Sequence, residues 1–277
     1  MRKYLFLTLC VLQFLITNAQ NNVKEVVYKT VDTTQLIMKL YYPDDFKPEQ
    51  KRSAIIFFFG GGWVGGTIDQ FKHQALYLAS RGMIAITADY RVRSRHHTTP
   101  FECVKDGRSA IRYLRKHAAE LGIDPDRIVA AGGSAGGHVA AATDLIEIDE
   151  ATDDISISAR PNALVLFNPV FNNGPDNYGY KIFGDDYVRI SPYHNIKKGA
   201  APTIVFLGTK DKHIPVKTAE DYQKKMRAIG NRCDLFLYVD QPHGFFNYRE
   251  KGNKYYEETL MVTTRFLIEL GFLPANK

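Results

Sequence analysis

The chain has 277 residues, of which 45% are apolar and 24% are charged, and its formal net charge is +6 at pH 7. This length provides for one large or two small domains, and the composition is typical of a globular domain rather than of a disordered or fibrous chain. The only dense basic cluster, at Arg91, Arg93 and Arg95, lacks interleaved aromatic residues, which argues against nucleic-acid binding.

The first residues have the pattern of a secretory signal peptide. Arg2 and Lys3 precede a mainly apolar segment, 5–16, and small residues follow at Thr17 and Ala19. Such a segment is too short to span a membrane, so no stable membrane insertion is expected after cleavage. The sequence therefore predicts a signal peptide over 1–19 and a secreted or periplasmic single domain over 20–277. The formal charge of that domain is +4, from 34 basic and 30 acidic residues.

After residue 20, short apolar runs alternate with longer amphipathic ones. Residues 25–30 and 36–42 alternate in polarity and predict an antiparallel hairpin at a sheet edge. Six continuous apolar runs predict strands covered on both faces, at 54–59, 83–88, 128–131, 163–167, 203–207 and 235–239. Helices are predicted at 71–81, 101–121, 139–147, 217–229 and 255–270. This alternation predicts an α/β fold with a mostly parallel sheet, helices on both faces, and ligands bound at the carboxyl ends of the strands.

The most informative motif is the pattern G-x-S-x-G at residues 132–136, with Ser134 at its centre. It lies between the strand predicted at 128–131 and the helix predicted at 139–147. A strand that turns abruptly into a helix leaves no room for side chains, and the serine at the turn is held in a strained conformation with its hydroxyl outward. Ser134 is therefore the candidate nucleophile.

A serine nucleophile needs a base, and His243 is the candidate because it follows the last predicted strand. By contrast, His138 begins the helix after Ser134 and is expected to pack or cap. The base needs an acid that orients its ring. Asp211, between a strand and a helix, is preferred over its rival Asp240, which lies only three residues before the histidine.

An oxyanion hole needs backbone N–H groups that point at the developing negative charge. Ala135 supplies one such group directly after the candidate nucleophile, and the three glycines at 60–62 can supply others because they follow a predicted strand. The order serine, acid, histidine along the chain is that of the α/β-hydrolase arrangement.

With these motifs the chain resembles α/β-hydrolases of the esterase/lipase kind and is similar to secreted bacterial acetyl-xylan and feruloyl esterases. The matching segments span most of the chain, at 59–63, 89–91, 124–128, 132–138, 208–211 and 243–245. The resemblance implies an α/β-hydrolase fold with Ser134 as nucleophile, His243 as base, Asp211 as acid, and Gly61, Gly62 and Ala135 as oxyanion donors. The family often has a histidine before the glycines where this chain has Phe59, which puts the rigidity of the glycine loop in question.

The sequence leaves little room for a cap over the site. About forty residues separate the predicted cleavage site from the glycine loop, and the candidate lid at 171–200 is polar and aromatic rather than apolar. Aromatic rings and amides at the rim of an open site suit a sugar. Trp63, Tyr178 and His213 are the predicted substrate-binding residues.

The predicted function is a serine carboxylesterase that removes short acyl groups, above all acetyl groups, from small-molecule or oligosaccharide esters through an acyl-enzyme. A feruloyl esterase, a serine peptidase of the prolyl-oligopeptidase kind and a non-enzymatic protein on the same fold remain as alternatives. No cofactor is predicted, and no metal, because no cluster has ligand spacing. The sequence decides neither the oligomeric state nor whether Cys103 and Cys233 pair.

Overall fold

One eight-stranded sheet forms the centre of the computed structural model, which describes residues 22–47 and 49–275. The strands are β1 (Val23–Val31), β2 (Thr34–Tyr41), β3 (Arg52–Phe58), β4 (Ile84–Ala88), β5 (Ile123–Gly133), β6 (Ala163–Phe167), β7 (Thr203–Gly208) and β8 (Cys233–Tyr238). The helices in the described residues are α1 (Lys72–Ser80), α2 (Arg93–His96), α3 (Pro100–Lys116), α4 (Ala118–Leu121), α5 (Ala135–Leu145), α6 (Tyr180–Phe183), α7 (Val216–Ala228) and α8 (Lys254–Glu269).

The strand order is β1-β2-β4-β3-β5-β6-β7-β8. Strand β2 pairs antiparallel with both β1 and β4, and every other neighbouring pair is parallel. The predicted edge hairpin and mostly parallel sheet are therefore confirmed. Strand β5 is longer than predicted and begins at Ile123, which pairs with Arg52. Its first half was missed because residues 124–127 are largely polar and interrupt the apolar run.

Both faces of the sheet are buried at β3, β4, β6 and β7, as their apolar runs predict. The same prediction is wrong for the run at 235–239, because β8 is the last strand of the sheet and Phe236 and Leu237 are exposed there. On β3, Ile56 and Phe58 contact the layer that contains α3, α5 and α7, whereas Ile55 and Phe57 contact the layer that contains α1 and α8. Successive side chains on a strand point to opposite faces, so a strand covered on both sides must be apolar throughout.

Two helical regions differ from the sequence prediction. The helix predicted at 101–121 divides at His117 into α3 and α4. Helix α5 begins at Ala135, four residues earlier than predicted, because the glycines of its first turn carry no apolar periodicity. The candidate lid at 171–200 contains α6 and two 3-10 turns, Gly184–Arg189 and Pro192–Asn195.

A buried charge cluster fixes the edge hairpin to the helical layer. The Lys29 ammonium contacts the carboxylates of Asp106 at 2.7 Å and Glu150 at 3.0 Å. The Arg91 guanidinium contacts the same two carboxylates at 2.8 and 2.7 Å. Two cations and two anions thus satisfy one another around the fully buried Asp106, with Glu150 at the partly exposed end, and such pairing is the condition for burying charge without a large penalty.

The two cysteines of the described chain, Cys103 and Cys233, are both free and buried. Burial raises the pKa of the Cys233 thiol to about 12, so it stays protonated at neutral pH. No described helix combines the length and the hydropathy that a membrane span requires. The predicted signal peptide, 1–19, lies outside the described residues.

Candidate active site

A cavity of about 400 Å³ opens at the carboxyl ends of the parallel strands. Its lining includes Ser134, His243, Asn168, Tyr178, His213, Phe246 and the glycines of the loop after β3. The predicted nucleophile and base, which are separated by more than one hundred residues, thus line one cavity.

Ser134 has the strained backbone that the motif predicts, with φ 54° and ψ −120° between the end of β5 and the start of α5. Its glycine neighbours are required by close packing. A Cβ on Gly132 would lie 2.8 Å from the carbonyl oxygen of Phe58, and a Cβ on Gly136 would overlap the same oxygen. The turn is therefore held against β3, and only glycine fits there.

The backbone of Ser134 is fixed on both sides. Its N–H donates to the carbonyl of Phe167 at 2.9 Å, at the end of β6. Its carbonyl accepts from the N–H groups of His138 and Val170, at 3.0 and 3.2 Å. These bonds hold the strained turn in place and leave the side-chain hydroxyl as the group presented to the cavity.

Asp211 follows β7, and its carboxylate is fully buried. One oxygen accepts from the His243 ring Nδ1 at 2.7 Å, and the other accepts from the N–H groups of His213 and Ile214 at 2.8 and 3.0 Å. Burial by itself would raise the pKa of the Asp211 carboxyl, but these hydrogen bonds hold it below its usual range. The rival Asp240 instead pairs with Lys210, and its side chain is 66% exposed.

His243 Nε2 lies 3.3 Å from the side-chain nitrogen of Asn168. No hydrogen bond joins this ring to the Ser134 hydroxyl in the described part of the chain. Sequence reasoning missed Asn168. The one available signal is its position directly after the apolar run of β6, at the sheet edge where Ser134, Asp211 and His243 also stand.

Among the three glycines of the loop, Gly60 already has a hydrogen-bond acceptor, because its N–H donates to the Gln70 side chain at 2.6 Å. Within the described residues, the N–H groups of Gly61 and Gly62 have no backbone or side-chain acceptor. The N–H of Ala135 has no acceptor within its own helix because it belongs to the first residue of α5. Three amides near Ser134 are thus available to a ligand.

The phenylalanine at the position of the family's histidine does not leave the glycine loop loose. Phe59 stacks on Tyr90 with ring centroids 4.2 Å apart, and the Tyr90 hydroxyl donates to the Phe59 carbonyl at 2.6 Å. Gln70 holds the next residue, Gly60, from the other side. A ring stack and two hydrogen bonds therefore brace the loop without an imidazole.

Two of the three predicted substrate-binding residues lie in the cavity wall. Tyr178 comes from the candidate lid and His213 from the loop after β7, and both line the cavity. Their rings meet edge-to-face with centroids 5.5 Å apart, and the His213 ring meets that of His243 at 4.9 Å. An arc of three rings thus borders the cavity, from Tyr178 through His213 to His243.

The prediction that Trp63 contacts substrate in this cavity is wrong. Its side chain is 2% exposed and does not line the cavity. The indole packs against His138, Phe183 and Tyr178, with ring centroids 5.1, 5.5 and 5.8 Å apart. The lid folds over the indole and turns it into core, so proximity to the glycines in sequence was misleading. Trp63 instead borders a second cavity of about 300 Å³ with Phe101 and Phe183.

His138 is fully buried, as its predicted packing role requires. Its Nε2 lies 2.8 Å from the carbonyl of Ile190, so this nitrogen carries the proton. Burial lowers the pKa of His138 to about 4, which keeps the ring neutral. No group of three or more potential metal ligands occurs in the part of the chain that the structure describes.

Comparison with known proteins supports the fold and an esterase family. The BD-FAE family model matches residues 38–164, and the model of the dienelactone hydrolase family matches residues 177–267. Thermogutta terrifontis esterase 2, in its form phosphoramylated by tabun, superimposes with a TM-score of 0.89 at 44% identity, over 92% of this chain and 97% of that one. The butyrate-bound form of the same esterase superimposes with a TM-score of 0.88 at 43% identity, over 93% of this chain and 97% of that one.

Among curated proteins, Esterase LipC of Mycobacterium tuberculosis is 27% identical over 72% of this chain and 54% of its own length. The chain spans about half the length of that relative. The fold and the serine at a strand-to-helix turn define an α/β-hydrolase. The chain belongs to the α/β-hydrolase esterase family.

Proposed function

We propose that this protein is a serine carboxylesterase. The observation that carries the proposal is the convergence on one cavity of Ser134, the hydrogen-bonded pair of His243 and Asp211, and backbone N–H groups without protein acceptors. Membership of an esterase family supports the same conclusion. The secreted or periplasmic location predicted from residues 1–19 belongs to this proposal.

In the proposed reaction, Ser134 Oγ attacks the ester carbonyl while Nε2 of His243 accepts the hydroxyl proton. Asp211 holds Nδ1–H and stabilises the positive ring. The oxyanion of the tetrahedral intermediate accepts from the N–H groups of Gly61, Gly62 and Ala135, each of which lowers the barrier by about 3 kcal/mol. The ring then gives its proton to the leaving alcohol. A water molecule, deprotonated by the same ring, releases the acid from the acyl-enzyme.

Short acyl groups fit the floor of the cavity. Phe246 lines it and packs on Phe167 and Phe71, with ring centroids 4.7 and 5.7 Å apart. A Cβ on Gly133 would lie 2.7 Å from the tip of the Phe246 ring, so this aromatic layer lies directly behind the nucleophile. An aromatic layer this close to the nucleophile supports a short acyl group over a long chain. Thermogutta terrifontis esterase 2 has been solved with butyrate and with propionate bound.

The polar wall of the cavity favours an alcohol that carries hydroxyl groups. Thr67, Gln70 and Asn247 lie on one side of it, and the Tyr178 ring lies on another. Amides and hydroxyls match the hydroxyls of a sugar, and an aromatic ring offers a stacking surface. These contacts support acetylated carbohydrate as the substrate class.

Ferulate esters are the second candidate substrate. The cavity bordered by Trp63, Phe101 and Phe183 has aromatic walls and shares Gly62 with the main cavity. An aromatic acyl group requires such walls. Release of ferulate at a rate above that of acetate from the same xylan would favour this candidate.

The test compares acetate release from acetylated xylan with hydrolysis of p-nitrophenyl acetate, butyrate and octanoate. We expect turnover of acetate and butyrate, little of octanoate, and free acetate from the xylan. Ser134→Ala is the matched control, with a rate lower by roughly 10⁴-fold or more, and it should not react with a fluorophosphonate that labels the wild type. Equal turnover by Ser134→Ala would refute the esterase proposal.

A further inference from the structure

Asn168 is built into the sheet edge between the nucleophile turn and the histidine loop. It directly follows Phe167, whose carbonyl accepts from the Ser134 N–H. Its own N–H donates to the Phe206 carbonyl at 2.7 Å, and its side chain is buried, with the whole residue 1% exposed. Its φ of 33° is in the left-handed region, which asparagine tolerates better than most residues. The residue is therefore held in place by β7 and by the strained turn.

The hydrogen bonds around the Asn168 side chain show which of its two terminal atoms is the oxygen and which is the nitrogen. The Gly244 N–H lies 2.9 Å from Oδ1, and a backbone N–H can only donate, so the oxygen must face it. The amide nitrogen therefore faces His243 Nε2, at 3.3 Å. Since an amide nitrogen donates, Nε2 must be the unprotonated ring nitrogen. The proton is then on Nδ1, which donates to Asp211 at 2.7 Å.

We propose that Asn168 is a positioning residue for His243, which holds the ring in the tautomer that can accept a proton from Ser134. The inference rests on the proposed esterase function. In this structure the amide of Asn168 occupies the lone pair of Nε2, and Ser134 makes no hydrogen bond to the ring. The neutral His243 ring is thus held with its Nε2 unprotonated.

The same contact disfavours the protonated ring. Once Nε2 has taken the serine proton, two N–H donors face each other, and the contact with Asn168 becomes repulsive. The ring is then driven to turn Nε2–H toward the leaving alcohol, which accepts the proton. Asn168 therefore selects the neutral tautomer before the transfer and favours release of the proton to the leaving alcohol, without touching the substrate.

The charged and titratable groups that face His243 are few. Asp211 pairs with Nδ1, and the His213 ring lies 4.9 Å away by centroids. Tyr178 faces His213 rather than the catalytic ring. Because the His213 ring contacts the His243 ring, the test is repeated in a His213→Gln background.

The decisive variant is Asn168→Asp. Aspartate keeps an oxygen for the Gly244 N–H and tolerates the left-handed φ, but it presents an acceptor to Nε2. The carboxylate then favours the protonated form of the His243 ring. We therefore expect the acid limb of the pH profile of kcat/KM to shift to higher pH by about one unit or more. Asn168→Ala should lower kcat/KM roughly tenfold without that displacement. An acid limb that stays at the wild-type position in Asn168→Asp overturns the proposal.

A second measurement does not depend on turnover. Nitrogen-15 NMR of histidine-labelled protein, with the His243 signals identified by their loss in His243→Gln, reports which ring nitrogen carries hydrogen. We expect Nδ1 protonated and Nε2 bare in the wild type, and both protonated at neutral pH in Asn168→Asp. A wild-type ring protonated on Nε2 overturns the proposal. If the wild type hydrolyses no ester, the esterase function fails, and this measurement still decides the role of Asn168.

Discussion

The hydroxyl oxygen of Tyr178 lies 2.8 Å from the position that a Cβ would occupy on Gly62. The candidate lid thus reaches down to the glycine loop and closes the cavity at its oxyanion side. Gly62 also has a φ of 61°, which side chains with a Cβ rarely adopt. The loop that is proposed to hold the oxyanion is therefore constrained twice, by its own backbone and by the lid.

We expect Gly62→Ala to lower kcat/KM by about a hundredfold, because the new methyl group displaces an oxyanion donor. Adding Tyr178→Phe removes the clashing hydroxyl and should restore part of the loss, while the backbone strain remains. Steady-state kinetics with p-nitrophenyl acetate measures both effects. Gly65→Ala is the matched control, since the nearest atom to its Cβ would be 3.8 Å away. Full activity in Gly62→Ala would contradict the proposed donor.

Because Trp63 is buried, we expect its replacement to lower the stability of the fold rather than the affinity for substrate. Trp63→Ala should lower the free energy of unfolding by about 3–5 kcal/mol, because it empties the space between His138, Phe183 and Tyr178. Trp63→Phe should keep the wild-type KM for short esters. Urea unfolding and KM measurements decide between core and binding roles. A raised KM in Trp63→Phe with unchanged stability would mean that the indole contacts substrate after all.

Asp211→Asn should lower kcat by about 10⁴-fold with little effect on the fold, since an amide cannot hold His243 in the same tautomer. Because its hydrogen bonds hold the pKa of the Asp211 carboxyl below the usual range, the carboxylate stays charged as the pH falls through the range where histidine titrates. Asp240→Asn is the control and should behave as the wild type, as its side chain faces solvent. Similar losses in both variants would leave the acid unassigned.

The sheet and the three proposed catalytic side chains were predictable because each depends on local signals. Continuous apolar runs mark strands buried on both faces, and Ser134, Asp211 and His243 each follow one of those runs. The lid was not predictable in the same way. Helix α6 and the two 3-10 turns are too short to show a period, and they are held by packing on Trp63 and on the cavity wall.

Asn168 and Trp63 show why the remainder of the site could not be predicted. The role of Asn168 depends on Gly244, 76 residues further along the chain, and no motif marks an asparagine before a proline as a partner of a distant histidine. The burial of Trp63 depends on Phe183, which lies 120 residues away, whereas its neighbours in sequence are the partly exposed glycines of the loop. Both cases depend on which segments the fold brings together.

The buried ring of His138 predicts a pH dependence of stability. Its pKa is lowered by burial to about 4 in the folded protein, whereas histidine in an unfolded chain titrates near 6.5. Between these values only the unfolded chain binds the proton, so this group removes stability as the pH falls from 6.5 toward 4. At pH 5 the loss amounts to about 2 kcal/mol relative to pH 7.

His138→Gln removes the titration while its amide nitrogen still reaches toward the Ile190 carbonyl. The variant should therefore lose less stability between pH 7 and pH 5 than the wild type does, by about 2 kcal/mol, whatever its stability at pH 7. Urea unfolding at the two pH values measures this difference. His97→Asn, at an exposed histidine, should keep the wild-type dependence. If wild type and His138→Gln lose equal stability, the ring is already charged in the fold. A charged ring would require an unseen acceptor for Nδ1, because that nitrogen has no hydrogen-bond partner among the described residues.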